Sequence, residues 1–431
     1  MVNTNELDFA FLYRVAERSI ASLRADAGAA VDNRAWALGE HLSQTLDALE
    51  KRISLSSERF SQYDQLEQMT AMHALRTANG TLEEMQEATD WIAKSLDSQL
   101  HLGVLYFIDR IARELGGDNV CITPIPDGGY GYSAFSWPFK HILKDLEEPD
   151  VISEPHPAVV SYLPHEQDST LLTPLFAHEV GHCAVEERNL VDEVLGSKTE
   201  DFDATFLKLA TDEKLRRAAS LAEVEELIEL KLDAWLTELL CDSLATLYLG
   251  PAYLFAFSPA VVSSGLDDFT DTHPATSLRV RQILSILSST GWDDLLGAEV
   301  PLSRKWLKSI AAMDLASDDP IEAFCLDATR EFQDEIAKVA AEHLGTAVFA
   351  AAEFHQDFED LMAFFEQRIL PVQMPDKRAA DQRSIILGGW LFKLRGEAPE
   401  EIAIAIDGDE FQAFLAAALE MSFVLGAWEK K

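Results

Sequence analysis

The chain has 431 residues, 48% hydrophobic and 25% charged, so it can bury a sizeable core and falls in the globular range, with two or three structural units expected. Its formal net charge of −39 repels phosphate backbones and anionic membrane surfaces, which argues against a nucleic-acid partner. The same charge favours cationic partners or simply solubility.

Cys121, Cys183, Cys241 and Cys325 are widely spaced and form no CxxC pair, as expected of free thiols in a reducing compartment. The stretch Met1 to Asp8 has no basic run leading into an apolar one, so no signal peptide is expected and a cytoplasmic location follows.

Residues 1–115 read as an N-terminal helical region. Leu42, Leu46, Leu49 and Ile53 recur at helical spacing, as do Leu82, Met85, Thr89, Ile92 and Leu96. Asn79-Gly80 is expected to break the chain, with Thr81 and Glu84 forming a capping box for the helix that follows. After Gly116-Gly117 the character changes. Val120 to Thr123 and Val159 to Leu163 are strand candidates, and Asp127 to Tyr132 is a glycine- and tyrosine-rich loop.

A helix carrying histidines comes next, then an acidic helical stretch over 186–230 and a strongly apolar helix over 230–249. Leu244 to Val262 carries no charge and is about as long as a membrane span. Gly250-Pro251 and Ser258-Pro259 interrupt it and no positive anchors flank it, so it reads as a buried helix with a turn, and no membrane span is expected. Residues 291–431 read as a C-terminal helical region. Within it Glu353, His355 and Asp357 look like a solvated face.

The chemistry concentrates in His178-Glu179-Val180-Gly181-His182. On a helix, residues four apart share a face, about 6 Å apart along the axis, so His178 and His182 can aim two imidazole nitrogens at one metal ion. Glu179 then lies beside the metal, where it can take a proton from a bound water. The segment Leu171 to Ala177 leads apolar residues into the motif, so the helix is expected to be buried. There two histidines and a glutamate are costly unless paired or metal-bound. Gly181 is a poor interior helix residue and implies that something approaches the backbone closely. The alternative is a core helix whose polar groups satisfy one another.

Val185 and Arg188 stand where a glycine and a third histidine would continue the motif, so that ligand class is excluded. Glu238 and Asp242, four apart in an apolar helix, offer the remaining ligand and its support. Glu238 would complete a His/His/Glu zinc site with an open water position, and Asp242 would accept the outward N–H of a ligand histidine. The competing reading is an ordinary buried ion pair. Glu225, Glu226 and Glu229 lie in a polar stretch, and Asp233 is a rival within the same helix. Cys183 and Cys241, next to the proposed ligands, are expected to fill core.

HExxH followed by ExxxD resembles the gluzincin clan of metallopeptidases. Further on, His273-Pro274-Ala275-Thr276-Ser277-Leu278-Arg279 resembles the His-Pro motif with a later arginine of CAAX-processing and heat-shock-type membrane metallopeptidases. The likeness spans about residues 155–285. It implies that His273 hydrogen-bonds the developing oxyanion and that Arg279 orients the site carboxylates. Read without the resemblance, Thr272 or His273 caps a helix starting at Pro274, and Arg279 is a surface charge.

The expected architecture is predominantly α (α+β): a zincin-like metallopeptidase core over 116–290 with a small sheet, flanked by helical regions. The implied activity is zinc-dependent hydrolysis of a peptide or protein, with Glu179 as general base. The absence of a Gly-x-Met-Glu-Asn run favours an endopeptidase. The strand at Val159 to Leu163 is a candidate edge for an extended substrate, and the acidic stretch over 186–230 a candidate lid. A second function class is a zinc-binding scaffold without turnover. Oligomeric state is not readable from the sequence.

Overall fold

The computed structural model describes residues 4–30, 36–117, 120–127, 134–136, 156–197, 202, 204, 206–207, 209, 221–263, 265–395 and 409–429. The chain is mostly helical with one small sheet. It divides into two compact units, residues 1–99 with 118–167, and residues 100–117 with 168–431.

The first unit holds three long helices, α1 (Thr4–Ala30), α2 (Trp36–Arg59) and α3 (Gln65–Leu96). Their apolar stripes, among them Leu42, Leu46, Leu49, Ile53, Leu82, Met85 and Ile92, are buried in one cluster that also includes Ile125 and Val159 of the sheet. α3 runs unbroken through Asn79-Gly80, contrary to the expected break. Its capping box lies fifteen residues earlier, where Asp64 accepts from the amide of Glu67 and Glu67 accepts from that of Asp64. Inside the helix Asn79 Nδ2 donates to the carbonyls of Leu75 and Leu12, so its side chain ties α3 to α1 instead of opening a turn. A glycine in a helix interior costs about 1 kcal/mol, which tertiary packing of a long helix overrides.

The sheet consists of β1 (Val120–Pro126), β2 (Ala134–Ser136) and β3 (His156–Tyr162) in the order β1-β3-β2. β1 pairs with β3 in parallel and β2 pairs with it antiparallel. β3 is therefore the central strand and offers no free edge along Ala158 to Val160, which corrects the expectation that it receives a substrate strand. The run Ala158 to Tyr162 is buried throughout, so both faces of the strand are covered there. Residues 128–133 of the expected loop lie outside the described residues.

The second unit begins with α4 (Leu102–Ile111) and continues with α5 (Leu175–Arg188), α6 (Leu190–Leu195), α7 (Leu221–Leu249), α8 (Pro251–Ser263) and α9 (Thr276–Ser289). α10 (Asp293–Glu299), α11 (Pro301–Ala311), α12 (Pro320–Glu331), α13 (Gln333–Leu344), α14 (Ala351–His355), α15 (Phe358–Glu366), α16 (Gln382–Leu394) and α17 (Asp409–Glu429) follow. The uncharged stretch after Leu244 forms the end of α7 and most of α8, and Leu244 to Phe257 is buried, as expected of a core helix and turn. Among the described residues one helical stretch, Asp409–Trp428, is long and apolar enough to cross a membrane by length and composition, and 33% of it is buried. The expectation of no membrane span did not single this stretch out.

The unit boundaries differ from the three regions read along the chain. Composition marks where local character changes, whereas packing joins distant segments. Gln412 of α17 accepts at Oε1 from the amide of Leu171, Thr170 Oγ1 donates to the Gln412 carbonyl, and Trp390 Nε1 donates to the carbonyl of Leu171. Residues after 291 thus strap down the segment leading into α5. The expected solvated face at 353–357 is also corrected in part, since Asp357 is buried and paired with Arg378.

Candidate metal centre

α5 follows two short helical turns and ends at Asn189, whose left-handed φ of 52° stops it and turns the chain into α6. His178 and Glu179 are buried and His182 is partly open to solvent. α7 packs against α5 at a point where a side chain on Gly181 would bring its Cβ to 3.2 Å from Cys241 Cα and 3.4 Å from Cys241 Sγ. The close approach inferred from Gly181 is thus the backbone of α7 at Cys241, three residues after Glu238 and next to Asp242. Cys183 and Cys241 are both buried, and burial pushes the Cys183 thiol up to about 12, as befits core filling.

The ligand atoms of His178, His182 and Glu238 all lie within 4.8 Å of one another. His178 Nε2 stands 3.4 Å from Glu238 Oε2, and His182 Nε2 stands 3.5 Å from Glu238 Oε1. Charge-assisted hydrogen bonds would close to about 2.7–2.9 Å. A metal about 2.0–2.1 Å from each of its ligands in a tetrahedron separates them by roughly 3.3–3.4 Å, close to what is found. Glu238 Oε2 is fully buried and closes no hydrogen bond, although the Arg279 guanidinium at 3.3 Å and His178 Nε2 at 3.4 Å stand beside it. Two imidazoles and one carboxylate at these separations could hold a metal ion. Glu226, Glu229 and Asp233 are exposed and stand outside this group.

Behind the ligands lies a buried support. Asp242 Oδ1 stands 3.0 Å from His178 Nδ1, which leaves Nε2 of that ring facing Glu238. Arg279 of α9 donates to both Asp242 oxygens, from Nε at 2.7 Å and Nη2 at 2.8 Å, and its Nη1 lies 3.3 Å from Glu238 Oε2. Its guanidinium sits 4.8 Å from the ring centre of Phe257. Arg279 is buried, which removes the surface-charge reading. Nor is α9 capped by Thr272 or His273, because it starts at Thr276 after Ala275, which makes no side-chain capping bond.

His273 is half exposed and reaches the same place from the loop before α9. Its Nε2 is 3.5 Å from Glu238 Oε1, and its Nδ1 is 2.8 Å from Thr272 Oγ1. Sequence reasoning missed Tyr253 of α8. Its hydroxyl donates to Asp242 and lies 3.3 Å from His178 Nδ1, and its ring is parallel to that of His178. The available signal was a tyrosine in an otherwise apolar helix, since a buried hydroxyl needs a partner.

The charges are strongly coupled. Burial alone would lower the His178 pKa, but Glu238 and Asp242 outweigh it and raise the group to about 10. Burial, followed by the charge on His178, drives His182 down to about 4. Burial would raise both carboxylates, yet Arg279 and His178 hold Glu238 down at about 2 and keep Asp242 below its usual range. Without a metal, a proton on His178 therefore supplies the second positive charge that the two carboxylates need beside Arg279.

Compared with protein-family models, with curated proteins and with solved structures, the chain matches none.

Proposed function

We propose that the chain is a zinc-dependent metallopeptidase that hydrolyses peptide bonds in a peptide or protein substrate, within a zincin-like core. The observation that carries this reading is the convergence of His178, His182 and Glu238 with Glu179 buried on the same helix. A purely structural zinc site takes four protein ligands and has no use for a neighbouring carboxylate base.

A zinc ion held by His178, His182 and Glu238 would lower the pKa of its water and polarise the scissile carbonyl. Glu179 takes the proton from the attacking water and returns it to the leaving amine. Asp242 fixes the His178 ring by accepting from Nδ1, and Tyr253 and Arg279 hold Asp242 in place. Arg279 also balances the charge of Glu238. His273 has Thr272 at Nδ1 and Nε2 toward the site, and it donates to the oxygen on which negative charge develops. None of the four cysteines is in a disulfide, which supports a cytoplasmic setting.

The test is zinc content by elemental analysis of the native protein, joined to turnover of internally quenched peptides. One zinc per chain is expected, with peptide cleavage that the Glu179→Gln variant loses by about 10²–10⁴-fold while keeping its zinc. Undiminished turnover in that variant removes Glu179 from the reaction. Zinc without turnover in the native chain leaves a binding protein.

A further inference from the structure

Glu238 and Asp242 belong to a longer stripe on one face of α7. Lys231 and Trp235 precede them at positions i and i+4, with Glu238 at i+7 and Asp242 at i+11. This upstream half of the stripe binds the loop that delivers His273. Trp235 is fully buried, and its Nε1 donates to the carbonyl of Thr270 at 3.0 Å. Its ring stacks on Phe269 with centroids 5.4 Å apart and planes 13° apart. Lys231 Nζ sits 5.6 Å from the centre of the same indole. It bridges Asp271 at 3.2 Å to Glu322 of α12 at 2.9 Å, and Ser317 donates to the other oxygen of Glu322 at 2.7 Å.

Three consecutive loop residues, Phe269, Thr270 and Asp271, are thus seated on two side chains of the ligand helix. Thr270 then closes the turn that carries the imidazole. Its amide donates to the His273 carbonyl at 3.1 Å, and its Oγ1 accepts from the His273 amide at 2.8 Å. The His273 ring has little hold of its own. It is half exposed, meets Thr272 in the loop itself, and stands 3.5 Å from Glu238, beyond hydrogen-bond length. Its position above the site is set by the seat of the loop.

We propose that Trp235 and Lys231 are positioning residues that hold His273 over Glu238, so that α7 supplies both a metal ligand and the register of the histidine facing it. The proposal rests on the peptidase reading for its kinetic consequence but not for its geometry. Binding groups must be held to within about 0.5 Å of the productive position, and a half-exposed loop achieves this only through packing of the residues beneath it.

The experiment uses the zinc-loaded full chain and one internally quenched peptide, chosen from a random library by its cleavage by the native protein. Trp235→Phe keeps an aromatic ring to stack on Phe269 while removing the indole N–H and part of the ring volume, and Lys231→Met keeps the aliphatic stem, so both variants are expected to fold. Amide hydrogen exchange over residues 267–273 should quicken roughly fivefold in each, the equivalent of one ordinary hydrogen bond. The kcat should fall by about the same factor with KM unchanged, and Lys231→Arg should restore both. In a His273→Ala background, Trp235→Phe should lower kcat no further, because its effect acts through that imidazole.

Unaltered exchange in both variants overturns the proposal. So does a kcat loss that persists undiminished in the His273→Ala background. If the native chain cleaves no peptide while exchange still quickens, the peptidase reading fails and the seat of the loop stands.

Discussion

Two ion clusters in the second unit, one buried and one partly buried, look alike in composition and differ in what they leave unfinished. In one, Asp381 receives Arg110 at 3.1 Å, Arg383 Nη2 at 2.9 Å and the Arg383 amide at 2.8 Å. The guanidiniums are completed by Glu114, the Ala347 carbonyl and the face of Phe349. Every strong donor aimed at Asp381 meets an oxygen, and the cluster ties α4 to the start of α16. In the other, Arg279 satisfies Asp242 in the same two-pronged way, but Glu238 closes no such pair: Arg279 Nη1 and His178 Nε2 stand 3.3 and 3.4 Å from Oε2, and His182 Nε2 stands 3.5 Å from Oε1. An unmet buried acceptor costs about 1–3 kcal/mol, and more when it is charged, so the Glu238 carboxylate is the costlier of the two to leave without a further cation.

The comparison can be broken by removing one carboxylate from each cluster. Glu238→Ala should abolish zinc binding at micromolar metal, read by equilibrium dialysis, while leaving a folded chain. Retained stoichiometric zinc would take Glu238 out of the ligand set. Asp381→Ala should do the reverse. It strands two guanidiniums and should lower unfolding stability by about 3 kcal/mol, the low end for a broken buried pair because Asp381 is a quarter exposed. Its zinc content should be unchanged. Denaturant titration and metal analysis of the two variants together decide whether the clusters are different in kind.

Protonation sharpens the same contrast. His178 is raised to about 10 in the metal-free protein and must be neutral at Nε2 to bind zinc, so at pH 7 the metal displaces one proton. Affinity should rise with pH, by about tenfold per unit between the His182 value of about 4 and the His178 value of about 10, and level off above that. Calorimetry in buffers of different ionisation enthalpy counts the proton, and a count of zero at pH 7 would mean that His178 is neutral without metal. The smallest effect is expected at the helix crossing. Gly181→Ala places a Cβ 3.2 Å from Cys241 Cα and should destabilise by only about 1 kcal/mol, because the helix propensity gained offsets part of the overpacking, with zinc affinity weakened as α5 and α7 are pushed apart.

Much of the site was legible because its decisive spacings are local. Helical periodicity alone puts His178 over His182 and Glu238 over Asp242, and an apolar setting makes their charges too costly to be idle. Gly181 announced a close approach, and Cys241 proved to be its partner. Arg279 was legible only as one of two readings, because a sequence does not say whether an arginine one turn into a helix faces water or a buried aspartate. Tyr253 was passed over in a stretch read as plain core.

By itself the sequence determined the helical character, the strands β1 and β3, and the two pairs of candidate site side chains on α5 and α7, since these follow from periods of 3.6 and 2 and from the cost of burying charge. Only the tertiary structure decided which pairs meet. It made β3 a central strand, carried α3 through Asn79-Gly80, brought residues after 291 against the approach to α5, and seated the His273 loop on Trp235. Each of these depends on contacts between residues far apart in the chain, where packing energy outweighs local preference and no periodicity records the partner.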